Sequence, residues 1–275
     1  MEIQFLGNEG ITENCINAIL RYLQFGERFT DTIILSHQQS HALIIFSDSG
    51  EILAIRSGFT SGYSGEGPRG LAYVLSILKE LGTEIEEYSV SRKIIEKINN
   101  SSFKISDLDK IKKGIPVRPK RLYDYIYDYH VFYSKKENLL NKFPLSIPYA
   151  VLDPRLFDLA ISFWDSPGES IFTGYRKLED EIRNRCNLED HGSKLFQKAF
   201  LGQNSILLWP ELNGNEISGR ANLFIATYSG YRNIRAHREI EENSKQQLVE
   251  FMTLNHLFLL EAESVLRSIN SEQGV

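Results

Sequence analysis

The chain has little cysteine: Cys15 and Cys186 are its two thiols, and they lie far apart among 275 residues. This scarcity excludes a disulfide framework and gives no metal-ligand spacing, so we expect a reducing cytoplasmic setting and no metal or other cofactor. The sequence contains no run of about 18 apolar residues, so it predicts no membrane-spanning helix. The start, Met1-Glu2-Ile3-Gln4, lacks the basic and apolar segments of a signal peptide.

Positive charge is also not in excess. The formal net charge is -5 and the pI is about 5.8, which argues against a protein that coats nucleic acid along its whole surface. A local basic patch remains compatible with these numbers. Composition is otherwise that of an ordinary globular protein, with 42% hydrophobic and 24% charged residues.

The first half of the sequence predicts a mixed α/β domain with a small, mainly antiparallel sheet, within an α+β protein. Apolar periodicity indicates helices over residues 13–22 and 71–81. Short apolar or β-branched runs indicate strands at residues 3–6, 32–35, 41–46, 51–56 and 83–90. Asp48-Ser49-Gly50 is typical of a hairpin turn. We expect this domain to span residues 1–130 and to act as a sensor or regulatory domain.

A basic segment with Gly and Pro interruptions follows, and then a series of tyrosines. Its basic residues beside aromatic rings suit single-stranded RNA, through phosphate pairing and base stacking; a solvated linker before buried tyrosines is the simpler interpretation. The candidate RNA contacts here are Lys112, Lys113, Arg118, Lys120 and Arg121. Because Pro144, Pro148 and Pro154 then come at short intervals, we expect a linker over residues 131–150.

Residues 151–275 predict an all-α helical bundle. Helical spacing is present at residues 155–164, 170–185 and 194–201, and again from Arg220 onward. A final helix carries an apolar stripe that Asn255 interrupts, formed by Leu248, Phe251, Phe258, Val265 and Ile269. Such segments pack as an antiparallel bundle.

Between the last two helical segments stands Arg232-Asn233-x-x-x-His237. An arginine can hold a phosphate, and an imidazole can move a proton near neutral pH. By itself the spacing is unspecific, because an arginine here can equally pair with an acid and the histidine can cap the C-terminal end of a helix.

Five ordered segments resemble the HEPN superfamily, and most closely its Ymh-like group, over about residues 150–275. They are Glu179-Asp180-Glu181-Ile182-Arg183, the run from His191 to Phe200, Gly219-Arg220-Ala221-Asn222-Leu223-Phe224, the run from Ser229 to His237, and Leu254-Asn255-His256-Leu257-Phe258-Leu259-Leu260. The resemblance implies a helical bundle that forms a homodimer around the motif.

The resemblance further implies a metal-independent endoribonuclease, of toxin or antiviral-defence type, with a composite site. Arg232 would stabilise charge on the phosphate, His237 would act as general acid or base, and Asn233 would position neighbouring groups. Arg235 and Arg238 are further candidate RNA contacts. Ile234 stands where related sequences commonly have proline, so on an unbroken α-helix Arg232 and His237 would point about 140° apart. Their meeting then requires a local bend or a partner chain.

The alternative function is a non-catalytic HEPN module that binds a nucleotide or a protein partner and signals through the N-terminal domain. Such a regulatory ligand has one candidate place: Gly65, Gly67 and Gly70 fit G-x-G-x-x-G before a helix, where backbone amides can bind phosphate. Pro68 removes one donor, and a structural glycine loop is the preferred interpretation. His37 and His41 lie four residues apart near a turn between strands, which disfavours a metal site.

Overall fold

The computed structural model describes residues 2–117, 120–232, 235 and 243–267, without the side chains of Lys120 and Arg121. The chain divides into two compact units, Met1–Pro144 and Leu145–Val275. The N-terminal unit contains a sheet with helices, and the C-terminal unit is mainly helical. The prediction of an α+β protein is confirmed.

The N-terminal unit is built on a five-stranded mixed sheet in the order β1-β4-β3-β2-β5. Strands β2, β3 and β4 form an antiparallel meander, whereas β1 runs parallel to β4 and β5 runs parallel to β2. The expected antiparallel pairing therefore holds in the centre, and parallel strands form both edges. The strands are β1 (Ile3–Leu6), β2 (Phe29–His37), β3 (Ser40–Ser47), β4 (Ile52–Thr60) and β5 (Glu84–Ser89).

Helices cover both faces of this sheet, which explains why its central strands are apolar on both sides. Alternate residues of β3 enter opposite cores: Leu43 and Ile45 pack with α1 and α2, while Ala42 and Ile44 pack with α3 and α4. The helices are α1 (Thr12–Gln24), α2 (Glu66–Glu80), α3 (Arg92–Asn99) and α4 (Ile105–Lys112).

Residues 131–144 of the segment predicted as a linker belong to the N-terminal unit instead, and residues 145–150 belong to the C-terminal unit. Three short helices, α5 (Lys120–Tyr127), α6 (His130–Tyr133) and α7 (Lys136–Leu140), follow α4. Tyr133 and Leu139 are buried in the core beneath α2, and the Tyr73 hydroxyl donates to the Leu139 carbonyl at 2.7 Å. The boundary at residue 130 was therefore wrong: apolar side chains carry this unit on to Pro144.

The C-terminal unit buries one large aromatic core, which includes Phe163, Tyr175, Phe200 and Phe224. Helix α9 packs against α12, and α10 packs against α11. Its elements are 3₁₀ turns at Tyr149–Val151 and Pro154–Leu156, then α8 (Phe157–Ile161), α9 (Pro167–Cys186), α10 (Gly192–Phe200), β6 (Leu207–Leu208), α11 (Gly214–Thr227), a π-helical turn (Tyr228–Arg232), α12 (Ser244–Ala262) and β7 (Val265–Leu266).

The final helix is shorter than its apolar stripe suggested. Helix α12 ends at Ala262, and Val265 belongs to β7, which pairs with β6. Asn255, which interrupts the stripe, is buried because it binds backbone: it accepts from the amide of Asp153 at 2.8 Å and donates to the carbonyl of Val151 at 3.0 Å. Asn255 therefore fixes the backbone of residues 151–153, which precede α8, to helix α12.

Candidate functional site

Arg232 lies at the end of a π-helical turn that continues from α11. Helix α11 begins with a capping box, in which Asn213 and Glu216 bond to each other's backbone amides. After Thr227 the helix widens into the π-helical turn Tyr228–Arg232. The helix is therefore irregular directly before the motif, and single π-helical turns are frequent at functional sites.

Two aromatic rings hold the guanidinium of Arg232. Its central carbon lies 5.1 Å from the ring centre of Tyr228 and 5.7 Å from that of Phe172, which favours cation–π attraction. The Nε atom is buried and donates to no acceptor in the part of the chain that the structure describes. The aromatic rings therefore hold Arg232, and no carboxylate of the described residues forms an ion pair with it. This finding argues against a simple ion pair as the role of Arg232 within the described residues.

Arg232 lines a cavity of about 420 Å³ together with two other arginines, Arg176 and Arg183 of α9. The remaining wall comes from Glu179, Asp180 and Tyr228, and from the start of α10 at residues 191–193. Three guanidinium groups against two carboxylates leave this cavity with net positive charge. Arg176 is exposed and forms no ion pair with the described residues, so it is available to an anion.

Glu179 organises the floor of the cavity. Its buried carboxylate accepts from the Tyr228 hydroxyl at 2.9 Å and from the Gly192 amide at 2.8 Å, and it lies 3.6 Å from Arg183. Burial, and then the hydrogen bond to Glu179, raise the pKa of Tyr228 well above its ordinary range. Tyr228 therefore remains a neutral platform beneath Arg232 at physiological pH.

His191 projects into the same cavity. Arg183 donates from Nη2 to Nδ1 of His191 at 3.0 Å, and a guanidinium can only donate. The neutral imidazole therefore carries its proton on Nε2, which is available to a ligand because the side chain is 74% exposed. The Ser193 hydroxyl, 3.0 Å from that of Ser229, adds a polar edge.

The sequence motif located Arg232, but it did not identify Arg176 or His191. A signal for the first was present: Arg176, Glu179 and Arg183 stand three and four residues apart, on one face of a helix. The apolar stripe on the neighbouring face, about 100° around the helix, dominated the periodicity of the same segment. His191 carried no such signal, because a loop brings it to Arg183.

The other motif residues divide into two groups. Asn233, His237 and Arg238 lie outside the described residues, so their predicted roles stay predictions. The prediction of Arg235 as an RNA contact was wrong: Nε of Arg235 donates to Oε1 of Glu250 at 2.8 Å, and the two side chains are only 8% and 3% exposed. A buried arginine that neutralises a buried carboxylate is not free to bind a phosphate.

The glycine-rich segment is part of a helix rather than a phosphate loop. Helix α2 begins at Glu66, with Gly65 as its N-cap. A Cβ on Gly67 would collide with the Thr60 side chain, and one on Gly70 would collide with the Thr12 methyl group. Close packing of α2 therefore accounts for Gly67 and Gly70, which lie in a helix and not in the structural loop that was expected.

Of the basic candidates in the N-terminal unit, the structure describes the side chains of Lys112 and Lys113. Lys112 ends α4 and lies with Nζ 4.4 Å from the ring centre of Phe46, and Lys113 is exposed beside it. Lys120 and Arg121 begin α5, but their side chains, like Arg118, lie outside the described part. No group of three or more potential metal ligands occurs among the described residues, and none of the described helices is long and apolar enough to cross a membrane.

Comparisons with known proteins give one family and one distant structure. Residues 151–260 match a family described as "Protein of unknown function (Hypoth_ymh)", which agrees with the Ymh-like resemblance of the C-terminal segment. No curated protein matches the chain. A chain of "Respiratory complex I from Thermus thermophilus" is 14% identical, covers 44% of this chain and 99% of its own, and gives a TM-score of 0.35.

Proposed function

We propose that the C-terminal unit is a metal-independent endoribonuclease of HEPN type that acts as a homodimer. The observation that carries this proposal is the cationic cavity in which Arg232 is held between aromatic rings beside Arg176. Such a site fits a phosphodiester, because guanidinium groups bind two phosphate oxygens at once. The match of residues 151–260 to the Ymh family supports the superfamily, although that family has no assigned activity.

The chemistry would be transesterification within the RNA. The ribose 2′-hydroxyl attacks the adjacent phosphorus, the 5′-oxygen leaves, and a 2′,3′-cyclic phosphate remains. Arg232 and Arg176 stabilise the charge that builds on the phosphate oxygens. His237 removes or supplies the proton, Asn233 positions the strand, and the Nε2–H of His191 donates to a phosphate or leaving oxygen. The motif residues of two protomers would together form one composite site.

The biological setting we propose is a toxin or antiviral-defence nuclease, with the N-terminal unit as the sensor or regulatory part. This setting rests on analogy with the superfamily. The competing function is a non-catalytic module that uses the same cationic cavity to bind a nucleotide or an acidic partner. Both functions need Arg232 and Arg176, but only the nuclease needs His237.

The deciding experiment is cleavage of a mixed RNA pool in EDTA by the full chain and by Arg232→Ala and His237→Ala. We expect both variants to lose at least about 100-fold in rate, the usual contribution of a general acid–base or an oxyanion donor, and wild-type products to end in 2′,3′-cyclic phosphate. Arg92→Ala and His256→Ala, which change exposed residues, are the controls. RNA binding without cleavage by the wild type would favour the binding module.

The composite site has its own test. Protomers carrying Arg232→Ala are mixed with protomers carrying His237→Ala, and the cleavage rate of the mixture is compared with each parent. Recovered activity in the mixture indicates that the two groups act across the dimer. A monomeric wild type in sedimentation velocity would contradict the homodimer.

A further inference from the structure

A chain of four polar side chains runs through the N-terminal unit, far in sequence from Arg232. His41 of β3 lies with Nε2 2.7 Å from the Ser61 hydroxyl and Nδ1 2.8 Å from the Ser36 hydroxyl. Ser36 of β2 donates in turn to Oε1 of Glu87 on β5 at 2.6 Å. His41, Ser36 and Glu87 are buried, whereas Ser61, directly after β4, is only partly buried.

The direction of these hydrogen bonds fixes the tautomer of His41. Ser36 has one hydroxyl proton and gives it to Glu87, so Ser36 must accept from Nδ1–H of His41. The neutral ring then has a lone pair on Nε2, and Ser61 must donate to it. A base aimed at a serine hydroxyl and oriented from behind by a third group is the arrangement that activates serine as a nucleophile, and here that third group is the Ser36 hydroxyl, which Glu87 holds in turn.

Ser61 also lines a cavity of about 740 Å³ between the end of β4 and α5. Among the side chains that line it are the carboxylates of Asp124 and Asp128, while none of the described lining residues is a lysine, arginine or histidine. Gly62, Tyr63 and Ser64 line the same cavity, and within the described residues their backbone amides donate to no other group. They are therefore the available donors for an oxyanion next to Ser61.

We infer that this cavity is a second active site, in which Ser61 is an acyl-transfer nucleophile and His41 its base. Ser36 and Glu87 position His41, and Tyr125 supports them by donating to Glu87 at 2.9 Å. Because two carboxylates and, among the described residues, no cationic side chain line the cavity, the substrate class is an uncharged or cationic carboxylic ester, and anionic esters are disfavoured.

The reaction balances with water as the second substrate. Ser61 Oγ attacks the ester carbonyl carbon while its proton passes to Nε2 of His41, and the alcohol leaves with that proton. Water then attacks the acyl-Ser61 ester, gives one proton to His41, and releases the acid. His41 returns the proton to Ser61, so the site is restored.

The test is covalent labelling of the full chain with an alkyl fluorophosphonate, which loses fluoride as it bonds to an activated serine oxygen. We expect one label on the tryptic peptide of residues 57–69, placed on Ser61 by fragmentation. Ser61→Ala should abolish the label, while Ser64→Ala, the matched serine on the same loop, should retain it. His41→Gln should slow labelling at least about 100-fold, since an amide cannot take the proton.

Hydrolysis of p-nitrophenyl acetate, compared with the anionic p-nitrophenyl hemisuccinate, tests the substrate class. We expect the acetate to be preferred, with a smaller preference in Asp124→Asn/Asp128→Asn. An unlabelled wild type, labelling spread over Ser61 and Ser64, or unchanged labelling in a folded His41→Gln would overturn the inference, and the polar chain would then be structural. Because RNA cleavage is assigned to residues of the other unit, Ser61→Ala should leave it unchanged.

Discussion

Two arginines three positions apart, Arg232 and Arg235, have opposite roles because their partners differ. Arg232 is held by the faces of aromatic rings and lines an open cavity. Arg235 is paired with Glu250 of α12 inside the protein. The sequence offers the same residue type at both places. The distinction depends on a carboxylate 15 residues further along, which local spacing does not reveal.

The Arg235–Glu250 pair should matter for stability. Replacement in Glu250→Ala leaves a buried guanidinium without its carboxylate, and we expect a loss of about 3–5 kcal/mol in the free energy of unfolding. The double change Arg235→Met/Glu250→Leu should recover most of it, because two apolar side chains need no partner. The exposed Lys177–Asp158 pair is the control, since Asp158→Ala should cost only about 0–1 kcal/mol. Urea denaturation measures all three, and equal losses at both pairs would contradict the argument.

At the scale of elements, apolar periodicity predicted the helices and strands well but not their ends. Helix α2 was predicted to begin at residue 71, because glycine and proline usually break helices. In the structure it begins at Glu66. Pro68 is tolerated because it lies in the first turn. The N–H groups of a first turn have no acceptor within the helix, so the N–H that proline lacks is not missed. Conversely, the apolar stripe predicted that α12 extends beyond its true end at Ala262. Val265 belongs to the strand pair of β7 with β6, so its apolar side chain is not part of the helix.

The candidate site was predicted in part for a related reason. Arg232 was found because the motif lies in consecutive sequence. Its companions come from α9 and from the loop before α10, and only packing brings them to it. The π-helical turn at Tyr228–Arg232 lies before the span in which a bend was expected, and both that bend and the convergence of Arg232 with His237 stay predictions.

Helix packing at glycine allows a matched comparison. Gly70 of α2 faces the Thr12 methyl group, whereas Gly219 of α11 has open space around the position of a Cβ. Gly70→Ala should therefore destabilise by about 1–3 kcal/mol through overpacking. Gly219→Ala should stabilise by about 0.5–1 kcal/mol, because alanine loses less backbone entropy in a helix. Calorimetry of both variants checks the signs, and a destabilised Gly219→Ala would show that helix propensity is not the controlling effect there.

At the scale of the whole molecule, each unit has its own buried core. The N-terminal unit has apolar clusters on both faces of its sheet, and the C-terminal unit has one aromatic cluster formed entirely from its own residues. The sequence predicted two domains from composition. The boundary was misplaced because tyrosines and prolines resemble a linker, although Tyr133 packs beneath α2.

Separate cores predict separate folding. A chain of residues 145–275 should be folded and should unfold cooperatively, since a domain with its own core folds independently. A chain of residues 1–144 should do the same, whereas residues 1–130 should be unstable, because this cut removes Tyr133 and Leu139 from the core under α2. Circular dichroism during thermal unfolding compares the three. Equal stability of the 1–130 and 1–144 chains would show that α6 and α7 are dispensable, and an unfolded 145–275 chain would show that the C-terminal core depends on the N-terminal unit.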